Sequence, residues 1–261
     1  MSKQIKIKCP AKINLDLKVF PKDPISGFHP IESIMQAINL FDYLTLEITD
    51  KNSIELNGNS KEIPYDEKNI CYKAVSVFQE YTNTSFGINI YIEKNIPVCA
   101  GLAGGSTDAA GVLFGINKFL DMPLNKNELH FLCQKLGSDL NFCLEGGKKL
   151  CKGRGEKLEE MPFEEFDITL VKPKNLQISA KEAYFEFDSL NKTPNIPNYL
   201  EFALLDKYEE LKYLNSHSMQ MSGSGPTYFI KEKNINFDLD KNKYLIIPNL
   251  KTINHGVCIV S

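Results

Sequence analysis

From Ala11 to Val19 apolar and polar residues alternate: Ala11, Ile13, Leu15, Leu17 and Val19 against Lys12, Asn14, Asp16 and Lys18. A period of two sends successive side chains to opposite faces and predicts a strand with one buried face. Lys12 and Asn14 then fall on its polar face, solvated by default. Leu44, Leu46 and Ile48 repeat the pattern, as do Ile88, Ile90 and Ile92, and Asn57-Gly58 supplies a turn signal between runs. The spacing becomes helical at Ile70, Ala74, Val77, Phe78 and Tyr81, and again at Val112, Leu113, Ile116 and Leu120. A third helix is predicted from about Leu129 to Leu136, with Asn125 and Glu128 as a capping pair and Gly137 as its stop.

Beyond residue 145 the Gly- and Lys-rich stretch GGKKLCKGRGEKLEEMP reads as a hairpin and marks a change of composition. Two domains are expected, 1–150 and 151–261. The second offers a strand from Phe166 to Val171, helical stretches around 180–186 and 199–214, and a strand, turn and strand through MQMSGSGPTYFI.

Composition narrows the function classes. Thirty Lys and Arg against thirty-three Asp and Glu leave a formal charge of -3 over 261 residues, which argues against a nucleic-acid partner. The apolar runs are too short for a membrane span, and the opening MSKQIKIKCPAK lacks the apolar core of a signal peptide. Seven cysteines, an odd number with no C-x-x-C pair, fit reduced thiols. A cytoplasmic location is expected.

The chemistry concentrates in IPVCAGLAGGSTDAAGVLFGINKF. A turn from Gly101 to Gly105 runs into an amphipathic helix expected to begin near Ser106. A helix start presents unpaired N–H groups and the positive end of its dipole, glycines admit a close backbone approach, and Ser106 and Thr107 supply hydroxyls. Together these point to phosphate. The bland alternative is a Gly-rich loop with a helix cap. No Lys follows Gly105 as a Walker A loop requires, and neither G-x-G-x-x-G nor G-x-S-x-G is present. A second cluster, Gly223-Ser224-Gly225, is either another backbone cradle or a tight turn between strands. Asp139, just past Gly137, is by default a loop aspartate.

The ordered segments CPAKINLDL, PVCAGLAGGSTDAAG and MSGSGPTYF resemble the three motifs of the galactokinase, homoserine kinase, mevalonate kinase and phosphomevalonate kinase superfamily. Gly27-Phe28-His29, Leu136-Gly137-Ser138-Asp139 and Gly153-Arg154-Gly155-Glu156 narrow the likeness. They resemble the branch that phosphorylates diphosphocytidyl methylerythritol to its 2-phosphate, on the methylerythritol phosphate route to isoprenoids. The resemblance implies an α+β, two-domain small-molecule kinase fold. Its active site would lie in the cleft between a strand-rich N-terminal α/β domain and a smaller, ferredoxin-like C-terminal α/β domain.

It also implies roles. ATP would lie against Asn69, Lys94, Pro97 and the loop Gly101, Leu102, Ala103, Gly104, Gly105, Ser106 and Thr107. Lys12 and Asp139 would be catalytic, and Asn14, Phe28, His29 and Tyr184 would hold the cytidylyl substrate, with Phe185 the alternative ring. Magnesium is expected with no ligand assignable, and the chain is expected to be a monomer or homodimer. Ala103 stands where the family usually has Gly, which matters if that residue has φ > 0. Lys231 to Lys243 is Asn-rich where relatives usually carry a helix. Two rivals stay open: a homoserine or mevalonate kinase of the same superfamily, and a non-catalytic ligand-binding module with this fold.

Overall fold

The computed structural model describes residues 4–121 and 124–260. The alternation at Ala11 to Val19 belongs to a longer strand, β1 (Gln4–Val19), paired antiparallel along its length with β2 (Ile31–Thr49). There follow β3 (Ile54–Gly58), α1 (Ile70–Thr82), β4 (Gly87–Glu93), α2 (Gly104–Phe119), α3 (Lys126–Leu136), α4 (Leu140–Glu145), β5 (Lys148–Gly153) and β6 (Lys157–Glu160). With 19 residues, β2 serves two partners on its other edge: Ile31 to Gln36 pair with β5, and Tyr43 to Thr49 with β4. Asn57 and Gly58, expected in a turn, instead lie inside β3, opposite Tyr91 and Ile92 of β4. The β3–β4 pairing is parallel, so the connection is the crossover through α1 rather than a tight turn.

Helices α1 to α3 cover one face of this sheet, where Ile7, Leu44, Leu46, Ile88 and Ile90 meet Phe78, Val112 and Ile116. Each such side chain, fully buried, contributes about 1.5–3 kcal/mol. The α2 helix lies unusually close: a Cβ at Gly111 would stand 2.5 Å from Cys9 Sγ, and one at Gly115 2.4 Å from Leu46 Cδ1. This contact fixes where the helix's N-terminus points. Asn125 and Glu128 form the predicted reciprocal capping box on α3. Gly137 ends that helix in an extended conformation, φ 172°, rather than the left-handed one.

The second sheet is built from β7 (Asp167–Pro173), β8 (Gln220–Met221), β9 (Tyr228–Ile230) and β10 (Tyr244–Lys251), in the order β10-β7-β9-β8. Counted in chain order this is fourth, first, third, second, all antiparallel, the ferredoxin-like arrangement. Its first crossover carries α5 (Ala180–Asp188), α6 (Tyr199–Leu204) and α7 (Glu209–Ser216), so the helical stretch expected over 199–214 is two helices. Tyr208, at the break, reaches Glu182 of α5 through its hydroxyl, and Lys207 ion-pairs with Glu182 and Glu186.

The second crossover, 231–243, forms neither helix nor strand. Its apolar residues Ile235, Phe237 and Leu239 recur every second position and pack on the second domain's core. That spacing cannot build a helical face.

The division expected at 150 runs through β5. Because β5 and β6 are hydrogen-bonded onto the first sheet, we place it between Glu160 and Asp167, with β11 (Cys258–Ile259) returning to β1. A third core, Ala11, Ile13, Ile38, Ile96, Leu102, Ile168, Leu170 and Phe229, lies between the two sheets. All seven cysteines are free, five of them buried. No helix among the described residues is long and apolar enough to cross a membrane.

Candidate active site

Lys12 and Asn14 are not solvated. They are 3% and 2% exposed, because the second domain closes over the face of β1 that carries them. Between Pro10 and Ala11 the pairing shifts as β2 inserts Asn39 and Leu40. Before that bulge Ile7 and Cys9 pack under the helices, and after it Ala11 and Ile13 pack toward the second sheet.

The Lys12 ammonium donates to Asn14 Oδ1 at 2.6 Å and to the Gly101 carbonyl at 3.0 Å, and lies 3.7 Å from Asp139 Oδ2. Two of its three N–H groups are thereby fixed, leaving the third for the space in front of Asp139. Asn14 is held in turn by donating to Ser33 Oγ at 2.7 Å. Asp139 is the residue before α4, two residues past Gly137, where α3 ends.

The two glycine clusters pack against each other. A Cβ at Gly101 would fall 2.2 Å from the Ser222 carbonyl, and Ser222 Oγ donates to the Gly101 carbonyl at 3.0 Å. Residues 222–225 form a turn closed by the Gly225 N–H on the Ser222 carbonyl, and Asn198 donates to the Met221 and Gly223 carbonyls. Gly223 and Ser224 face the cleft, whereas Gly225 abuts the Met221 side chain.

Three cavities run together. The first, 410 Å³, is lined by Asn69, Lys94, Pro97 and the loop from Gly101 to Gly105. The middle one, 340 Å³, holds Lys12, Asn14, Ser106, Asp139, Gly223 and Ser224 and shares Gly101 and Ala103 with the first. The third, 450 Å³, contains Phe28 and His29 and shares Ser138, Arg154, Ala180 and Tyr184 with the middle one.

The helix at the loop starts at Gly104, two residues earlier than expected, so the N–H groups of Gly104, Gly105 and Ser106 belong to its open first turn. Ala103 precedes it with φ 58°, in the left-handed region, so the methyl that departs from the family pattern sits where glycine is favoured. Leu102 is 1% exposed and anchors the loop in the third core. Thr107 departs from expectation: it is fully buried, turned toward the Cys143 thiol, and lines none of these cavities. Asn69 lines the first cavity, but its amide caps α1 by accepting from the Cys71 N–H and donates to the Pro64 carbonyl. The Lys94 ammonium is enclosed between Asp42 and Asp108.

Phe28 is half exposed under the Arg154 guanidinium, 4.2 Å from its ring centre, while the His29 side chain is 6% exposed. His29 Nδ1 lies 2.8 Å from the Phe20 carbonyl and Nε2 3.1 Å from Asp188. Tyr184 faces the middle and third cavities; Phe185 lines the third alone and is 67% exposed. Burial, reinforced by the Asp139 charge, pushes the Tyr184 phenol up to about 12.

Sequence reasoning missed Asp42, Asp108, Ser33 and Asn198, and gave Arg154 no role. Asp42 breaks the apolar run INLFDYL, and Arg154 is the chain's single arginine, signals that could have found them.

Residues 69–147 match the family model described as the GHMP kinases N terminal domain. The 4-diphosphocytidyl-2-C-methyl-D-erythritol kinase of Clostridium beijerinckii is 38% identical over 95% of this chain and 100% of its own length. The enzyme of the same name from Prochlorococcus marinus is 35% identical over 98% of both chains. A crystal structure of 4-(cytidine 5'-diphospho)-2C-methyl-D-erythritol kinase superposes with a TM-score of 0.74 at 27% identity, covering 88% of this chain and 91% of its own. A homoserine kinase from Cytophaga hutchinsonii superposes at 0.75 over 100% and 98% of the two chains with 16% identity, which shows the shared fold. With relatives this similar spanning nearly its whole length, the chain belongs to the 4-diphosphocytidyl-2-C-methyl-D-erythritol kinase family.

Proposed function

We propose that the chain transfers the γ-phosphoryl group of ATP to a hydroxyl of 4-diphosphocytidyl-2-C-methyl-D-erythritol, giving the 2-phosphate. The observation that carries this is the groove itself, in which a glycine-loop cavity and an aromatic cavity meet at Lys12 and Asp139. Family membership supports ATP as the phosphoryl donor. The open first turn at Gly104 to Ser106 suits a triphosphate, since backbone N–H groups and the helix dipole both favour an anion there.

In this reading the acceptor hydroxyl enters the middle cavity and gives its proton to Asp139 as its oxygen attacks the γ-phosphorus in line. The free N–H of Lys12 faces the transferring oxygens and offsets the charge that develops on them. Gly223 closes the far side, a Cβ there falling 3.0 Å from Lys12 Nζ. At the other end Tyr184 and Phe28 would flank the cytosine, with His29 held in place by Phe20 and Asp188. Among the described residues no group of three or more His, Cys, Asp or Glu side chains is arranged for a metal ion. Magnesium arriving with the nucleotide would need only one or two protein oxygens, which Ser106 and Asp139 offer in the middle cavity, and would offset phosphate charge.

The test is an assay of ADP release and product mass with diphosphocytidyl methylerythritol, mevalonate, homoserine and galactose offered in turn. Phosphorylation of the cytidylyl compound with kcat/KM at least about 10²-fold above the others is expected. Preference for mevalonate or homoserine overturns the substrate, and no turnover of any overturns the enzyme.

A further inference from the structure

Beneath the glycine loop three charged side chains are shut in together: Asp42 from β2, Lys94 just after β4, and Asp108 from α2. Asp42 is fully buried and Asp108 2% exposed. The Lys94 ammonium pairs with Asp42 Oδ2 and lies 2.8 Å from Asp108 Oδ2. A Cβ on Gly104 would stand 3.1 Å from that ammonium, so the trio sits directly under the start of α2. Asp42 Oδ1 accepts from the backbone N–H groups of Asn95 and Ile96. Asp108 Oδ1 is equally enclosed and has no hydrogen-bond partner among the described residues.

The charge count is unfavourable for the proposed ligand. With both carboxylates ionised, one ammonium leaves a net negative charge behind a loop read as the seat of a polyanion. The other titratable groups facing Asp108 are the thiols of Cys9 on β1 and Cys71 on α1, both pushed up by burial and therefore uncharged at neutral pH. Burial pushes the Asp108 carboxyl up to about 8, with Lys94 opposing the rise and Asp42 adding to it. Burial alone would lower Lys94, but Asp108 and Asp42 more than offset it and keep it an ammonium.

We propose that Asp108 is a positioning residue that must carry a proton on Oδ1 while a triphosphate sits on the loop, taking it from solvent wherever the free chain lacks it. The trio then meets the ligand electrically neutral, with Lys94 still held by Asp42. An O–H bond forms at the carboxylate, a buffer acid gives up the proton, and the proton returns when the nucleotide leaves. The proton also removes the charge from an enclosed acceptor that no donor satisfies. This rests on the reading that the triphosphate lies along Gly101 to Ser106.

The free protein holds this proton below about pH 8 and loses it above. Nucleotide affinity should therefore be nearly level below pH 7, and should weaken as pH rises beyond 8, by up to about tenfold per unit. Titration calorimetry with a non-hydrolysable ATP analogue and magnesium, at pH 8.5 in phosphate and in Tris, reads the proton directly as the dependence of heat on buffer ionisation. About half a proton or more per nucleotide is expected for the natural chain. Asp108→Asn, an uncharged mimic of the protonated carboxyl, should show none and should bind with a level pH profile. Should that variant fail to fold, the natural chain alone decides, since tight binding at pH 8.5 with no buffer dependence overturns the proposal. Equal uptake in natural chain and variant also overturns it. A Gly105→Val variant that binds the analogue unchanged would instead put the nucleotide elsewhere and remove the reading beneath it.

Discussion

Lys12 Nζ lies 3.7 Å from Asp139 Oδ2, beyond hydrogen-bond range, while it donates to Asn14 and to the Gly101 carbonyl, both anchored in the fold. The ammonium is thus aimed by Asn14 and the Gly101 carbonyl rather than by Asp139. Asp139→Asn keeps the shape and removes the proton acceptor. It should lower kcat by about 10² or more with ATP binding nearly intact. Stopped assays with calorimetry on the same variant check both halves, and turnover within threefold of the natural chain removes Asp139 as the base.

Gly104 and Gly105 both line the first cavity but differ in what surrounds them. A Cβ at Gly104 meets Lys94 Nζ at 3.1 Å and Ile96 Cγ2 at 3.2 Å, whereas at Gly105 the nearest atom is Ile70 Cγ2 at 3.7 Å. Gly105→Val therefore fills ligand space at small cost to packing, and ATP affinity should fall about tenfold or more while the thermal midpoint moves by only a few degrees. Unchanged affinity in a folded variant places the triphosphate elsewhere.

Ala103 holds a left-handed conformation that disfavours any Cβ by about 1–2 kcal/mol. Ala103→Gly relieves this but frees the unfolded chain, at about 0.4–1 kcal/mol. The net expectation is a gain of about 0.5 kcal/mol in denaturant unfolding with ATP affinity retained. A loss of stability would mean that the methyl's packing outweighs the strain.

His29 and Tyr184 stack with ring centres 5.3 Å apart and planes at 21°. Tyr184→Ala and His29→Ala should each raise KM for the cytidylyl substrate several-fold while leaving KM for ATP unchanged. Because the rings touch, the double variant should lose less than the sum of the two. Equal losses toward both substrates indicate a damaged fold.

Periodicity carried most of the strands and helices, because the alternation at Ala11 to Val19 and the helical spacing at Ile70 to Tyr81 are local. It misled at Asn57-Gly58, where a sequence suited to a hairpin sits in a parallel pair set by α1. It also misjudged Lys12 and Asn14, since a polar face is solvated only if nothing folds over it, and what does so lies some 200 residues further on, at Ser222. The glycine loop was legible from its own residues. The trio of Asp42, Lys94 and Asp108 was not, because its members come from three separate elements and no spacing relates them.

The cavities on either side of Lys12 and Asp139 have no lining residue in common, and each shares lining residues with the middle one. Neither co-substrate, so placed, builds or blocks the other's entrance. With ATP and the cytidylyl compound placed as proposed, neither would have to bind first. Excess of one substrate would then leave the other's doorway open, and a dead-end inhibitor of the glycine-loop cavity would compete with ATP while leaving the aromatic cavity able to fill.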